Sequence, residues 1–326
     1  MDIIAKLKEM KMVGRSGSTY PTGDKWETVK NAKSRKKYVV CNASEGEPGT
    51  HKDHYILKNY PDKVIEGMKV ALETIEGSTG IIYIKSEFLK EFGEKLKKLI
   101  GNLPIVLFEK KGGYLGGEET VICEVIEGKR AEPRTKPPYP CEQGIEGFPT
   151  LINNVETFYV IAKIVDGSYR DERFYTISGE VENGGVYEFP CEWTIKKVLE
   201  EIEGIPKKDF FVQAGGGAAG EILLANELDK KIEGIGTIIV YEKEKTEAKK
   251  LMEKLIDFFL KENCDKCVPC REGAIRIKEL LENNNMDKEI WDDLFFSLEN
   301  TSFCYLGKSI PRAIRGLKEK ILDDKN

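Results

Sequence analysis

No apolar run in the 326-residue chain approaches the roughly 18 residues that span a bilayer, so direct membrane insertion is not expected. The opening residues, MDIIAKLKEMKM, lack an apolar core and a small-residue cleavage site, which argues against a secretory signal and for the cytoplasm. A basic excess is missing too. Against 56 Asp and Glu stand 51 Lys and Arg, and a net charge of −5 speaks against a nucleic-acid partner. Histidine is scarce: His51 and His54 share one loop, no third metal donor is evident, and they read as exposed loop residues. Repeats and low-complexity tracts are absent. What the chain does have is eight cysteines, which in the cytoplasm read as ligands or buried hydrophobes rather than disulfides.

The first half alternates strand and helix patterns. KYVVCNAS (37–44), TGIIYIKSE (79–87) and LPIVLFE (103–109) read as strands, and 63–77 and 88–102 as helices. This β-loop-α order predicts a parallel sheet with nucleotide-binding loops at its strand ends. A Pro-dense segment, 130–150, precedes a helix expected to start near Asn153. From 171 to 245 strands surround a single helix, IKKVLEEIEG, and QAGGGAAGEIL reads as a glycine-rich turn. From 246 to the end, four segments of bundle length follow, the last being IPRAIRGLKEKIL. The expected domains are therefore 1–170 (α/β), 171–245 (small α+β) and 246–326 (helical bundle).

CDKCVPCREG sets Cys264, Cys267 and Cys270 at three-residue steps, with Cys304 in SFCYLG as the fourth candidate. Three thiolates so spaced wrap one face of a cubane, as in bacterial ferredoxins. Structural zinc prefers two separated Cys pairs, and here there is one triplet and one singleton, which favours [4Fe–4S]. Cys41, Cys123, Cys141 and Cys191 are scattered singly and fit worse.

Together CDKCVPCREG, SFCYLG, GGYLGGEET, EGKRAEPRTKPPYP and PTLINNVETF resemble one family: the NADH-binding, FMN-containing flavoprotein subunit of respiratory complex I, shared with NAD-linked hydrogenases and formate dehydrogenases. The resemblance runs along essentially the whole chain, as a short member. It implies a flavin-binding α/β domain, a ubiquitin-like (SLBB) domain and a four-helix bundle carrying one [4Fe–4S] cluster.

Residue by residue, GRSGSTYPTGDKW is similar to the family's GRGGAGFPTGLKW, keeping Gly14, Arg15, Gly17, Lys25 and Trp26. Tyr20 replaces Phe and keeps an aromatic plane for stacking. Ser16, Ser18 and Thr19 depart from the pattern, and Ser16 or Thr19 held at positive φ would each cost about 1 kcal/mol or more. In the second loop, Asn42 is implied to bond the flavin and Glu47 the NADH ribose hydroxyls. Glu45 persists there, and Ser44 replaces an Asp that contacts flavin. Tyr114, Gly117, Glu118 and Glu119 are implied beside the flavin–nicotinamide stack, with Gly116 at a family cysteine position. Lys136 and Tyr139 would touch the dinucleotide, and Asn153 and Asn154 the FMN phosphate. QAGGGAAGEI lies outside the α/β unit and is assigned no ligand.

The expectation is an electron-input subunit that oxidises NAD(P)H at FMN and passes electrons through the cluster. Their destination would be a thioredoxin-like [2Fe–2S] or other iron–sulfur subunit of a complex I-like, hydrogenase or formate dehydrogenase assembly. No side chain need act as general acid or base. The alternatives are a flavoprotein with an altered donor, and a flavin-free iron–sulfur conduit favoured by Ser16, Ser18, Thr19 and Ser44.

Overall fold

In the computed structural model residues 1–17 and 19–322 are described; Ser18 and residues 323–326 lie outside the described residues, and the expectation for Ser18 with them. Contacts divide the chain into two units, Met1–Gly46 with His51–Phe174, and Glu47–Thr50 with Tyr175 onward.

The first unit opens with α1 (Ile3–Glu9), where Asp2 accepts from the Ile4 and Ala5 N–H groups as N-cap, and α2 (Thr22–Asn31). β1 (Lys37–Ala43), α3 (Lys52–Asn59), α4 (Pro61–Thr74), β2 (Ser78–Ile84) and α5 (Ser86–Ile100) follow. Then come β3 (Ile105–Glu109), a 3-10 turn at Tyr114–Gly117, α6 (Glu119–Ile126), the short α7 (Pro140–Gln143), β4 (Thr150–Asn154) and α8 (Val155–Val165). The strands form a parallel sheet in the order β3-β2-β1-β4, with Val40 of β1 opposite both Ile81 and Ile152. Val39, Val40, Cys41, Ile82, Tyr83 and Leu151 are all fully buried, as expected of parallel strands covered on both faces. α4 and α8 approach closely at Gly67, where a Cβ would lie 2.0 Å from the Phe158 carbonyl oxygen.

One expectation changes here. The helix expected from Asn153 begins at Val155, and Thr150–Asn154 is instead the fourth strand. A five-residue apolar run carries no periodicity that separates strand from helix, and pairing with β1 decides it. Its consequence is topological. The chain builds outward from β1 through β2 to β3, then returns to the other side of β1. That reversal leaves a crevice at the carboxyl ends of β1 and β4, where open α/β sheets bind ligands.

β5 (Glu172–Gly179) leads into the second unit, followed by β6 (Gly185–Pro190), α9 (Ile195–Glu201), β7 (Phe210–Ala214), β8 (Glu221–Leu224) and β9 (Thr237–Glu242). Their sheet has the order β6-β5-β9-β7-β8, with β9 parallel to β5 and β7 antiparallel to both β9 and β8. Val198 and Leu199 of α9 join Tyr175, Val212, Leu223 and Val240 in its core. The segment read as one glycine-rich turn is a hairpin: its ends belong to β7 and β8, and Gly215 and Gly216 make the turn at φ 100° and 120°.

Four helices complete the unit: α10 (Ala248–Glu262), α11 (Val268–Glu282), α12 (Lys288–Thr301) and α13 (Tyr305–Leu317). α13 starts directly after Cys304, and Pro311 sits inside it, so IPRAIRGL forms its later part. Its buried stripe, Leu306, Ile310, Ala313, Ile314 and Leu317, runs through the proline, so tertiary packing outweighs the local break. α13 packs against β8, with a Cβ at Gly316 only 2.7 Å from Ile222 Cβ, so sheet and helices share one compact unit.

Candidate functional site

The β1/β4 crevice gathers most of the sequence-indicated residues of the first unit. At the end of β1, Asn42 Nδ2 donates to Gly117 O (3.0 Å), and the Ser44 hydroxyl donates to Asn42 Oδ1. A Cβ on Gly117 would stand 2.8 Å from Ser44 Oγ, so this glycine is needed for the close approach of two loops. At the end of β4, Asn153 Oδ1 accepts from Trp26 Nε1 (3.0 Å), while Asn154 caps α8 by accepting from Glu156 N. Asn154 is therefore the helix cap, while the Oδ1 of Asn153 orients the indole of α2.

Above this floor, Lys25 Nζ pairs with Glu119 and donates to Ile152 O (3.3 Å), and Lys136 Nζ pairs with Glu118 at 2.7 Å. Glu118 also caps α6, accepting from Thr120 N and Val121 N. Lys25 lies 5.6 Å over the Tyr20 ring. Tyr20 and Tyr139 are 41% and 45% exposed, so two aromatic faces stand open beside two lysines and two carboxylates. Tyr114 packs its ring within 3.5 Å of where a Gly46 Cβ would lie.

The first loop is closed by a bridge between Val13 and Pro21 and by Gly14 N donating to Tyr20 O. Thr19 takes φ 45°, the strained case foreseen for the non-glycine residues, whereas Ser16 stays out of the left-handed region. A Cβ on Gly17 would meet nothing within 4 Å, and its φ is not positive. Among the described residues, packing around it makes no demand for glycine. Arg15 is buried instead: its N–H donates to Thr157 Oγ1 and its guanidinium to the Tyr169 hydroxyl.

Behind the crevice lies a charge cluster that sequence reasoning missed. Buried Lys52 Nζ donates to Asn154 Oδ1 (2.6 Å) and Asp53 Oδ1 (2.7 Å), and stands 3.1 Å from Glu156 Oε2. Glu156 is the only acid in the mostly apolar VETFYVIAKIV, a signal that was readable. Burial works against its charge, but Lys52, Arg15 and Arg173 together hold its carboxyl below the usual range.

Glu45 accepts from Asp53 N (2.8 Å) and His54 N (3.3 Å) at the start of α3; burial first, then the charge of Asp53, pushes it up to about 7. A carboxyl raised in the fold stabilises fully below its ordinary value near 4.5, and that contribution is lost as pH rises through about 7. Glu45→Gln should therefore flatten this part of the stability–pH curve of the flavin-free chain, by about 2 kcal/mol for a half-buried group. Parallel urea-midpoint curves for the two proteins between pH 4.5 and 7.5 would refute the assignment.

Glu47 is placed elsewhere, in the second unit. Its Oε1 accepts from Ala218 N (2.8 Å) and Ala219 N (3.4 Å) of the β7–β8 turn.

The four cysteines sit at helix starts in the second unit. Cys267 and Cys304 are the N-cap residues of α11 and α13, Cys270 lies in the first turn of α11, and Cys264 precedes it. A Cβ on Gly307 would be 3.0 Å from Cys270 Cβ, so α13 can approach α11 only with glycine there. Burial, reinforced by Cys267, Cys304 and Cys264 close by, pushes the Cys270 thiol up to about 12. Among the described residues no three His, Cys, Asp or Glu side chains are grouped as ligands of one metal ion. Four neighbouring thiols at two positive helix ends suit a polynuclear anionic cluster, which takes one thiolate at each corner.

Comparison with known proteins bears on both centres. Residues 7–163 match the Nuo51 FMN-binding domain, and residues 250–324 the NADH-ubiquinone oxidoreductase-F iron-sulfur binding region. An F subunit of the NADH-quinone oxidoreductase of Rhizobium meliloti (strain 1021) is 32% identical over 96% of this chain and 85% of its own length. The chain belongs to the family of NADH-quinone oxidoreductase F subunits. The corresponding polypeptide of Aquifex aeolicus is also 32% identical, over 99% of this chain and 85% of its own. Beyond the quinone-linked enzymes, the alpha subunit of the NAD-reducing hydrogenase HoxS of Cupriavidus necator is 31% identical over 98% of this chain. A solved NAD+-reducing [NiFe]-hydrogenase in the H2-reduced state superposes with a TM-score of 0.89 at 27% identity, covering 99% of this chain. The chain spans 59% of that HoxS polypeptide and 62% of the solved hydrogenase chain. As in the sequence, no helix among the described residues is long and apolar enough to cross a membrane.

Proposed function

We propose that this F-type chain is the electron-input subunit of a multi-subunit oxidoreductase, oxidising NAD(P)H at FMN and passing electrons through a [4Fe–4S] cluster. The observation that carries it is the crevice at the β1/β4 reversal, where Lys25, Asn42, Glu118, Glu119 and Asn154 lie at neighbouring strand ends and loops. When bound, FMN supplies the exchange between two-electron hydride transfer and one-electron transfer to the cluster. The chain's own residues bind and orient. Gly14, Gly17 and Gly117 let backbone approach the flavin, Arg15 anchors the first loop, and Asn42 and Glu45 line the isoalloxazine edge. Asn154 and the α8 N-terminus, with Asn153 and Lys25, serve the phosphate. Tyr20 and Tyr139 offer faces for stacking, Lys136 and Tyr114 flank the dinucleotide, and Glu118 and Glu119 border the nicotinamide. Glu47 accepts from a ribose diol. Cys264, Cys267, Cys270 and Cys304 hold the cluster.

By architecture this divides the chain at 170 and 245 into a flavin domain, a ubiquitin-like SLBB domain and a cluster-bearing four-helix bundle. Val268, Phe303 and Tyr305, each adjacent in sequence to a cluster cysteine, are 60%, 39% and 55% exposed, which supports a partner covering that face. That partner is a thioredoxin-like [2Fe–2S] or other iron–sulfur protein, and the assembly works in the cytoplasm. The strained φ of Thr19 favours a second reading, a chain that has given up flavin and kept the cluster.

Anaerobic purification, cofactor extraction and visible spectra before and after NADH separate the two. About one FMN per chain, bleached by NADH, is expected; no released FMN would leave the conduit. FMN unbleached by NADH or NADPH would indicate a different donor.

A further inference from the structure

We infer that Arg134, Thr120 and Glu118 are positioning residues for Lys136: a hydrogen-bonded relay at the start of α6 sets where the Lys136 ammonium stands. The consequence for dinucleotide binding rests on the role given to Lys136 above.

The segment 129–139 carries neither helix nor strand, and Pro133, Pro137 and Pro138 deprive it of backbone donors. A stretch with no ladder of its own has to be fixed by other partners. Arg134 ties it down on several sides. Its guanidinium donates to Glu124 of α6, to Glu127 Oε1 at the end of that helix (2.7 Å) and to Gly144 O ahead of β4 (2.7 Å). Its backbone N–H donates to Oγ1 of the buried Thr120 at 3.0 Å.

That last bond fixes a direction. A hydroxyl has one proton to give, and because Oγ1 accepts from Arg134 the proton goes to Glu118 Oε2. The same Oε2 accepts from Thr120 N (2.8 Å) and Val121 N (3.0 Å) as the cap of α6. Three donors on one oxygen hold the carboxylate in one orientation, with Oε1 taking Lys136 Nζ at 2.7 Å. Lys136 is thus attached twice to a single helical turn, through the backbone two residues upstream and through its own ammonium. A four-carbon stem that would otherwise sample many rotamers is held in place, so its entropy is lost on folding rather than on binding. Glu118 therefore acts on the dinucleotide through Lys136, and Thr120 and Arg134 act through both.

The test uses the flavin- and cluster-loaded protein. Thr120→Val removes the hydroxyl at nearly constant shape, and Glu118→Gln keeps an acceptor for the α6 cap while removing the charge that faces Lys136. Each is also combined with Lys136→Gln. Thermal unfolding and flavin content screen every variant for folding, so that either relay variant can stand in for the other. Calorimetry gives the affinity for NAD+, and NADH oxidation with ferricyanide gives KM and kcat. Lys136→Gln should weaken NAD+ and raise KM by about tenfold, and each relay variant by about fivefold, with kcat within about twofold of the parent. Thr120→Ser, which keeps the hydroxyl, should restore the parent affinity. In the Lys136→Gln background neither relay substitution should weaken NAD+ further, the non-additivity of residues that act through one another. Losses that multiply in the double variants would mean that Thr120 and Glu118 act without Lys136, and would overturn the inference. Parent-like NAD+ affinity in the folded relay variants beside an impaired Lys136→Gln would overturn it alone, as would flavin loss in folded relay variants. An unchanged affinity in Lys136→Gln would remove the role of Lys136 and the inference with it.

Discussion

Cys304→Ala is expected to abolish the broad visible absorption of the cluster while leaving flavin bound and bleachable by NADH. In the sequence Cys304 is joined to the CDKCVPC triplet as the fourth candidate, in SFCYLG, a motif that also carries the family resemblance. In the structure it is the N-cap of α13, near Cys270, and α13 comes close to Cys270 by virtue of Gly307. A cubane that loses one of four thiolates loses a corner ligand, a larger loss than the 10- to 100-fold typical of an outer-shell partner. Electron delivery to a one-electron acceptor that draws on the cluster should accordingly fall by more than about 100-fold. Oxidation of NADH by ferricyanide, which can draw on flavin directly, should persist. Because metal binding is coupled to folding, the helical part should also melt at lower temperature. Cys141→Ala and Cys191→Ala, outside this group, should keep the spectrum. An unchanged spectrum in Cys304→Ala would show that another group completes the site.

Periodicity made the parallel sheet and the helical C-terminal region legible, and spacing marked out the CDKCVPC triplet at the start of α11. Other features were hidden for identifiable physical reasons. β4 reads as the start of a helix because TLINN is too short to show a period, and only its ladder with β1 fixes its type. Pro311 lies inside α13 because the helix's buried stripe continues on both sides of it, which local proline chemistry alone does not foretell. The glycine turn carries no visible ligand in the sequence, since its partner Glu47 lies 171 residues away. Lys52 and Asp53 are visible as part of a motif, but their meaning depends on Glu156 and Asn154, more than one hundred residues further on. Side chains that act through the residues they hold leave little trace in a single sequence.

Lys52→Met tests that last cluster. Removing one partner of a buried charge group leaves the others uncompensated, which costs about 3–5 kcal/mol. For a chain of this size the unfolding midpoint should fall by roughly 5 °C. The loss is electrostatic rather than volumetric, because Met fills much of the same space; its signature is therefore in pH. Lys52 is raised in the fold to about 12, so its contribution is complete below 10.5, is lost only as pH rises through about 12, and is constant near neutrality. Glu156, by contrast, is held below its ordinary 4.5, with Lys52 foremost among the groups that outweigh its burial. Its contribution is present above 4.5 and fades as pH falls. Without Lys52 the Glu156 carboxylate gains by protonation, so the gap between parent and variant should narrow as pH falls from about 7 toward about 4. Adding Glu156→Gln to Lys52→Met should recover part of the loss, a non-additivity expected of residues in one network. A gap independent of pH, with the double variant as unstable as the sum of the singles, would mean that Lys52 contributes packing and not charge.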